Sequence, residues 1–356
     1  MADSPTKGAE SLASAGLPSS DDGGLASAGL PSSDDGGLAV VERAWSCQLG
    51  TEQRELKGED RFASRRLYAT PEDMEASVHS VHSTQGNSRQ VVVGQEDIIV
   101  VLVADGHGGR QASQYCRDHL LDYWVEQAAD DPCSESLLKA SEASCERVHR
   151  EIKSFTTAGS TITIVALNLV RGELSVANLG DSEAWLVPRG AGAPIRLTED
   201  HRLDSSEPER ARVLAMGGLI AHAKNRNGDP AGPLRLWPGG IAQARAVGDA
   251  DVGDYVMATP YTQTVAVPPS GGDVVIASDG VWDAIPCSAV AHGLRLTKGQ
   301  HARSAAKAVV DIAINQRHAY DCDGYTIPRD DTTCSVMRIR SLGTPAESEG
   351  ACCVIG

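Results

Sequence analysis

Three separate apolar segments of the chain each end at an aspartate that lies beside a glycine. They are residues 98–104 with Asp105, residues 174–179 with Asp181, and residues 274–278 with Asp279. A further acidic pair, Asp330-Asp331, stands just before the apolar segment 332–339. One Asp-Gly step alone is commonly a turn, but strand ends can converge at one edge of a domain, and glycine lets the backbone approach a ligand there. The repeated pattern predicts a cluster of carboxylates in one cleft.

The predicted carboxylate cluster has the chemistry of a site for hard divalent cations. Carboxylates gathered in a small cleft raise each other's pKa unless cations neutralise them. Oxygen ligands without cysteine or clustered histidine favour Mg²⁺ or Mn²⁺. Two such ions about 3.5–4 Å apart would activate a bridging hydroxide for in-line attack on a phosphate ester. His107, which follows Asp105 by two residues in a glycine-rich frame, is the candidate to protonate the departing oxygen.

The elements that must position these residues can be predicted from hydrophobic periodicity. Short apolar segments predict strands over 98–104, 160–168, 173–179, 183–188, 274–278 and 332–339. Apolar residues at helical spacing predict helices over 110–128, 135–155 and 302–312. Strand pairs are followed by helix pairs and do not alternate with them strictly. This order favours an α+β fold with antiparallel sheets and segregated helices.

Both ends of the chain differ in composition from the region between them. Residues 12–24 and 25–37 repeat the same thirteen residues, and we interpret residues 1–40 as a disordered low-complexity tail. Residues 41–340 form the predicted folded domain, and residues 341–356 a flexible tail. Within the domain, residues 65–97 lack periodicity and are predicted to be a loop insertion. Its His79 and His82 are interpreted as surface residues and not as metal ligands, because no Cys or carboxylate partners lie nearby.

Composition and charge exclude several classes of protein. The chain has 48 acidic residues against 32 Lys and Arg, for a formal net charge of −16, which argues against a nucleic-acid-binding surface. No apolar run of about 18 residues is present, so no transmembrane segment is expected. Nine cysteines without a Cys-x-x-Cys pair predict reduced thiols in a cytoplasmic or nuclear protein. Nothing in the sequence demands a dimer, and we expect a monomer.

The C-terminal residues Cys353–Gly356 partly match a prenylation box. A final glycine is atypical of that box, and no polybasic stretch precedes it. Lipid attachment is therefore not expected.

Seven ordered motifs between residues 41 and 340 resemble those of the metal-dependent protein serine/threonine phosphatases, the PPM or type 2C family. The motifs are Gly58–Phe62, Val103–Gly109, Gly159–Thr161 with Ala177–Ser182, Leu197–His201 with Glu209, Arg212 and Gly217–Gly218, Arg245–Asp249, Ala277–Asp283, and Arg329–Thr332. The resemblance implies a central β-sandwich of two antiparallel sheets flanked by helices. It also implies hydrolysis of phosphoserine and phosphothreonine in phosphorylated protein substrates.

The resemblance further implies a role for each matching residue. Asp105 would bridge two Mn²⁺ or Mg²⁺ ions, the carbonyl of Gly106 would complete one coordination shell, and His107 would be the general acid. The remaining metal-binding positions would be Glu59 and Asp60, acting through coordinated waters, Asp279 and Asp330 at the second ion, and Asp181 and Asp283 at a third, weaker ion.

The chain departs from the family pattern beside the site. The family arginine that grips the substrate phosphate lies four residues before the glutamate, where this chain has Glu55. Arg54 is our candidate for that role, with Lys57 as the substitute, although lysine would lose the bidentate geometry. Asp331 replaces an asparagine and adds negative charge. Residues 219–240 fall where the family carries its flap, and a role in substrate selection and a disordered loop both stay open.

Two other functions compete with an active phosphatase. A pseudophosphatase could bind a partner through the same fold, but the chain retains every expected carboxylate and His107. A serine hydrolase using Ser182 would need a Gly-x-Ser-x-Gly elbow, which Ser182 lacks. The sequence thus favours the metal-dependent phosphatase.

Overall fold

A computed structural model describes residues 45–67, 96–128, 132–190, 192–316 and 330–342. The strands in these ranges are β1 (Trp45–Arg54), β2 (Arg61–Leu67), β3 (Ile98–Ala104), β4 (Gly106–His107), β5 (Gly159–Ser160), β6 (Ile162–Asn168), β7 (Glu173–Leu179), β8 (Glu183–Pro188), β9 (Ile195–Arg196), β10 (Leu219–Lys224), β11 (Pro230–Trp237), β12 (Val247–Gly248), β13 (Tyr261–Ala266), β14 (Gly272–Ala277) and β15 (Thr332–Ser341). The α-helices are α1 (Gln111–Ala128), α2 (Ser134–Ile152), α3 (Glu207–Ala215), α4 (Asp279–Trp282), α5 (Cys287–Leu296) and α6 (Ala302–Asn315).

Two five-stranded antiparallel sheets form the centre of the fold. One has the strand order β1-β15-β14-β8-β9, and the other has the order β13-β7-β6-β3-β2. Their facing sides share one buried apolar cluster, which includes Val103 and Val165 from one sheet and Ile276 and Met337 from the other. Burial of these side chains supplies the hydrophobic stabilisation that joins the two sheets.

Helices cover both outer faces of the sandwich. Helices α1 and α2 pack on the sheet that contains β3, where Trp124 and Ile152 are fully buried. Helices α5 and α6 pack on the sheet that contains β14, with Val290 and Val309 in that core. These layers confirm the predicted α+β fold, a β-sandwich of two antiparallel sheets flanked by helices.

The elements predicted from the sequence differ from the structure mainly at their ends. Strands β3, β7 and β8 have the predicted bounds, whereas the segment 160–168 is divided into β5 and β6 at Thr161. The helix predicted over 135–155 ends at Ile152, and Phe155 beyond it is exposed. The prediction that the loop insertion begins at residue 65 was wrong, because residues 65–67 pair with β3 as part of β2. His79 and His82 lie outside the described residues.

Residues 219–240 contain an antiparallel hairpin of β10 and β11. The hairpin packs with α3 around a separate small core that includes Leu203, Val213 and Leu236. The buried carboxylate of Glu209 accepts hydrogen bonds from Arg212 (2.8 Å) and Arg245 (2.7 Å). The bond from Arg245 ties α3 to the segment that leads back to the sandwich, whereas the bond from Arg212 lies within α3.

None of the helices in the described ranges has the length and apolar character needed to span a membrane.

Candidate active site

The strand registers bring the predicted aspartates to one end of the sandwich. Arg61 pairs with Ala104, so Asp60 and Asp105 lie side by side where β2 begins and β3 ends. Ala277 of β14 pairs with Cys334 of β15, which places Asp279 near the start of β15. The hydroxyl of Ser278 donates to Asp60 Oδ2 at 2.8 Å. This bond joins residues of the two sheets, so the strand ends of both sheets meet here.

Asp60 and Asp105 form the centre of the carboxylate cluster. Burial raises the pKa of Asp60 to about 6, and hydrogen bonds from Ser278 and Thr333 oppose the rise. Burial raises the pKa of Asp105 well above its usual value, and repulsion from Asp60, Asp279 and Asp181 adds to this. The interaction between the two carboxyl groups raises the pKa of Asp105 and lowers that of Asp60. The carboxylates of this cluster repel one another, and a bound cation would reduce that repulsion.

Asp279 and Asp181 extend the cluster away from Asp60. Burial raises the pKa of Asp279 well above its usual value, and the charges of Asp181 and Asp283 raise it further. Asp181 is buried, and its Oδ1 atom has no hydrogen-bond partner among the residues that the structure describes. An unpartnered buried carboxylate oxygen is costly unless a ligand satisfies it.

Arg202 lies among the carboxylates predicted for a third ion. Its Nε atom is 2.6 Å from Asp181 Oδ2, and one terminal nitrogen is 2.7 Å from Asp283 Oδ1. The other terminal nitrogen is 3.6 Å from Asp279 Oδ2. The charges of Asp181 and Asp283 outweigh the effect of burial and raise the Arg202 pKa. Arg202 was not predicted from the sequence, because its partners lie 21 and 81 residues away in the chain.

Asp330 lies at the partly exposed edge of the cluster and contacts Lys57, one of the two candidates for phosphate binding. Lys57 Nζ is 2.6 Å from Asp330 Oδ2. Arg54 ends β1 opposite Thr332; its side chain is exposed and makes no ion pair within the described ranges. Lys57 is thus engaged by a predicted metal ligand, whereas the guanidinium of Arg54 is free for an anion.

Backbone N–H groups stabilise the negative charge that Asp331 adds beside the site. Its buried carboxylate accepts N–H groups from Leu56, Lys57 (2.7 Å), Glu59 (2.5 Å) and Asp60 (3.2 Å). Burial raises the pKa of Asp331, but these hydrogen bonds outweigh it and hold the pKa below its usual value. Asp331 therefore holds the turn that carries Glu59 and Asp60 in place. This role was not predicted from the sequence.

Glu59 and Gly106 complete the set of predicted metal positions. The backbone N–H of Gly109 donates to Glu59 Oε1 at 2.8 Å. Gly106 is buried, and a Cβ atom there would lie 2.7 Å from the carbonyl oxygen of Glu59 and from the hydroxyl of Ser113. Only glycine fits at this point, where the two backbone segments approach each other.

His107 has a carboxylate partner that the sequence analysis left without a role. Its Nε2 atom is 2.7 Å from Asp249 Oδ1. Strand β5 lies between β4 and β12 in a short sheet, and Gly159 pairs with both His107 and Gly248. Burial lowers the pKa of His107, but the Asp249 carboxylate outweighs it and raises the pKa above its usual value. The pair favours the protonated imidazole that a general acid needs.

The donor chemistry of the cluster fits a hard divalent cation. All its predicted ligands are oxygens, the Asp181 Oδ1 atom has no partner among the described residues, and burial raises the pKa values of Asp60 and Asp105. Within the described ranges, no group of three or more His, Cys, Asp or Glu side chains is already arranged to hold a metal. Binding would therefore require the carboxylates to adjust their positions and to bind in their deprotonated form.

Ser182 does not have the environment of a nucleophile. It is fully buried, and its hydroxyl lies 2.8 Å from that of Thr161. A catalytic serine needs a neighbouring base and access to substrate. The structure places Ser182 in the core and disfavours the serine hydrolase.

Comparisons with known proteins identify the family. A family model described as protein phosphatase 2C matches residues 63–320, a range that includes Asp105, His107 and Asp279 but not Asp60 or Asp330. Probable protein phosphatase 2C 12 of Arabidopsis thaliana is 36% identical over 250 residues, which cover 68% of this chain and 55% of that protein. Probable protein phosphatase 2C 3 of Oryza sativa subsp. japonica is 37% identical over 243 residues, covering 67% and 47%. The chain spans about half the length of the curated relatives it matches.

Two solved structures share the fold. A C. elegans sex determining protein has a TM-score of 0.60 at 23% identity, covering 82% of this chain and 64% of that one. The serine-threonine phosphatase 2C from Toxoplasma gondii has a TM-score of 0.60 at 20% identity, covering 83% and 95%. At these identities the likeness concerns the fold alone. Together with the family model, which matches more than half of the chain, it leads to the conclusion that this chain belongs to the protein phosphatase 2C family.

Proposed function

We propose that the chain is a protein phosphatase that uses Mn²⁺ or Mg²⁺ to hydrolyse phosphoserine and phosphothreonine in protein substrates. The observation that carries the proposal is the meeting of strand-end carboxylates from both sheets beside the His107–Asp249 pair. The names of the plant relatives support the same activity. The pseudophosphatase alternative is not favoured, because every carboxylate and the histidine that the chemistry needs are present.

Two ions are proposed for the core of the site. Asp105 and the carbonyl of Gly106 would hold one ion together with water, and Asp105, Asp279 and Asp330 would hold the other. Glu59 and Asp60 would act through waters. When bound, such ions lower the pKa of a shared water so that hydroxide is available as the nucleophile near neutral pH.

The side chains around the ions would do the remaining work. Arg54 would bind the phosphate of the substrate through its free guanidinium. His107 would donate its proton to the departing seryl or threonyl oxygen, whose alkoxide is too basic to leave without one. Asp249 would keep His107 protonated and oriented at 2.7 Å. The flap hairpin of β10 and β11 would contact the protein part of the substrate.

The metal requirement can be tested by measuring phosphate release from a phosphothreonine peptide with Mn²⁺ and with EDTA. We expect turnover only with Mn²⁺ and loss of most of it in Asp279→Asn. A matched control is Asp311→Asn, which removes the same charge from an exposed i,i+4 pair with Lys307 on α6 and should leave the rate unchanged. Equal turnover in EDTA, or none with Mn²⁺, would refute the proposal.

The role of His107 can be tested with two substrates that differ in their leaving group. His107→Asn should lower phosphothreonine-peptide turnover by about 10²–10⁴-fold, the usual contribution of general acid catalysis. Hydrolysis of 4-nitrophenyl phosphate should fall much less, because nitrophenolate leaves without a proton. An equal loss with both substrates would reject the general-acid role.

The phosphate contact can be assigned by comparing two alanine variants at saturating Mn²⁺. Arg54→Ala should raise the KM for the phosphopeptide, because it removes a bidentate partner of the phosphate. Lys57→Ala should leave the KM close to that of the wild type, since Lys57 is engaged by Asp330. The opposite result would transfer the role to Lys57.

A further inference from the structure

Arg202 occupies one side of the carboxylate cluster. Its guanidinium contacts Asp181 at 2.6 Å, Asp283 at 2.7 Å and Asp279 at 3.6 Å. Gln243 Nε2 also donates to Asp181 Oδ2, at 2.9 Å. A planar guanidinium presents five N–H donors in a fixed geometry, so it can contact several carboxylates at once. One guanidinium thus contacts three carboxylates of the cluster.

The backbone holds Arg202 in this place. The amide of Leu203 donates to the carbonyl of Ala242 at 2.9 Å, and the amide of Ala244 donates to the carbonyl of His201 at 2.9 Å. The amide of Arg202 itself donates to Asp200 Oδ1 at 3.0 Å. Residues on both sides of Arg202 are therefore fixed to a neighbouring segment, so its side chain starts from a rigid point. Such preorganisation lowers the entropic cost of holding the guanidinium between the carboxylates.

We propose that Arg202 is a built-in cation that fills the side of the cluster formed by Asp181 and Asp283 and thereby restricts divalent ions to the side formed by Asp60, Asp105 and Asp330. The inference rests on the proposed function for the identity of the ions, but it concerns this chain's own residues. Asp279 lies between the two sides and is shared. In this role Arg202 is a positioning residue, because it holds Asp181 and Asp279 without touching substrate.

The charge balance around Arg202 explains why the guanidinium and an ion exclude each other there. A divalent ion between Asp181 and Asp283 would have to displace two hydrogen-bonded contacts of 2.6 and 2.7 Å. It would also approach a positive charge that cannot lose its proton. Without Arg202, Asp181, Asp279 and Asp283 would be left as carboxylates without a counter-charge, a costly arrangement that favours cation binding.

The experiment is a count of bound Mn²⁺ at the plateau of a calorimetric titration, repeated by native mass spectrometry. The proteins are the wild type, Arg202→Gln, Asp283→Asn and the double variant R202Q/D283N. We expect Arg202→Gln to bind one Mn²⁺ more than the wild type, and the double variant to lose that additional ion. Asp283→Asn alone should leave the ion count of the wild type unchanged.

Two results would overturn the proposal. One is an equal ion count in the wild type and in Arg202→Gln. The other is loss of an ion in Asp283→Asn, which would place an ion at Asp283 in the presence of Arg202. Asp283 is well exposed, at 43% of its side chain, so its variant tests the proposal even where Arg202→Gln does not fold. A wild type that binds no Mn²⁺ would defeat the proposed function, while the difference between the variants would still decide the role of Arg202.

Discussion

The carboxylate of Asp331 offers a quantitative test of how the turn that carries Glu59 and Asp60 is held. It accepts four backbone N–H groups, those of Leu56 and Lys57 on Oδ1 and those of Glu59 and Asp60 on Oδ2. In Asp331→Asn one oxygen remains to accept two of these, and the new amide group points its own donors at the other two. Hydrogen bonds to charged groups contribute about 1.5–3 kcal/mol each. Because the turn is partly exposed, we expect a loss of about 2–4 kcal/mol in total.

The assay is urea unfolding at pH 7 in EDTA, so that bound ions do not contribute. The pKa of Asp331 is lower in the folded state than in the unfolded one, so its stabilisation is present above its unfolded pKa of about 3.9 and is lost as the pH falls through the folded pKa. The difference in the free energy of unfolding between the wild type and Asp331→Asn should therefore become smaller as the pH falls. Asp330→Asn is the matched control and should change stability by less than about 1 kcal/mol, as expected for an exposed pair. A loss within about 0.5 kcal/mol for Asp331→Asn, near the spread of ordinary surface substitutions, would refute the reasoning.

Three further predictions concern His107 and His201. Asp249→Asn should remove the charge that favours the protonated His107, an interaction of about 1.5–3 kcal/mol. The alkaline limb of the pH–rate profile should therefore move to lower pH, and an unchanged limb would contradict this prediction. Gly159→Ala would place a Cβ atom 2.3 Å from His107 Nε2 and from both carboxylate oxygens of Asp249. Turnover of the phosphopeptide should therefore fall by about 10–100-fold. A normal rate would show that the His107–Asp249 pair is dispensable. Burial lowers the pKa of His201 to about 4 from 6.5, so the unfolded state binds more protons between these values and stability should fall as the pH drops from 6.5 towards 4. The urea concentration at the unfolding midpoint should fall less steeply with decreasing pH in His201→Gln than in the wild type. An equal slope in the two proteins would contradict a buried, neutral His201.

The buried strands were the part of the fold that the sequence predicted best. Strand β3 lies in the interior of its sheet and is apolar throughout, so its pattern is unambiguous. Strands β1 and β2 lie at sheet edges, and their exposed polar and charged residues hide the strand pattern. Helix α5 was not predicted, because it is short and contains Gly293, a residue of low helix propensity. Periodicity thus identified the buried strands and the longer amphipathic helices, and it failed for the edge strands and the short helices.

Asp105, Asp181 and Asp279 were predictable because each follows a buried strand, whereas Asp60 and Asp283 were implied only by the resemblance to the family. The partners of these residues were not predictable, because their contacts depend on pairings between distant segments. Asp249 reaches His107 only because β12 pairs with β5, and it adopts a positive φ of 53° to do so. Arg202 and Asp331 likewise act on residues far away in the chain. An Asp that follows Gly248 within a motif resembling the family was the one available signal for Asp249.

The central claim is that the carboxylates at the strand ends bind divalent ions. The most direct measurement is a crystal structure of the protein grown with Mn²⁺, with the ions located by their anomalous scattering. We predict two peaks bounded by Asp105, Asp279 and Asp330. Crystals in which no peak lies among these carboxylates would contradict the proposed metal site.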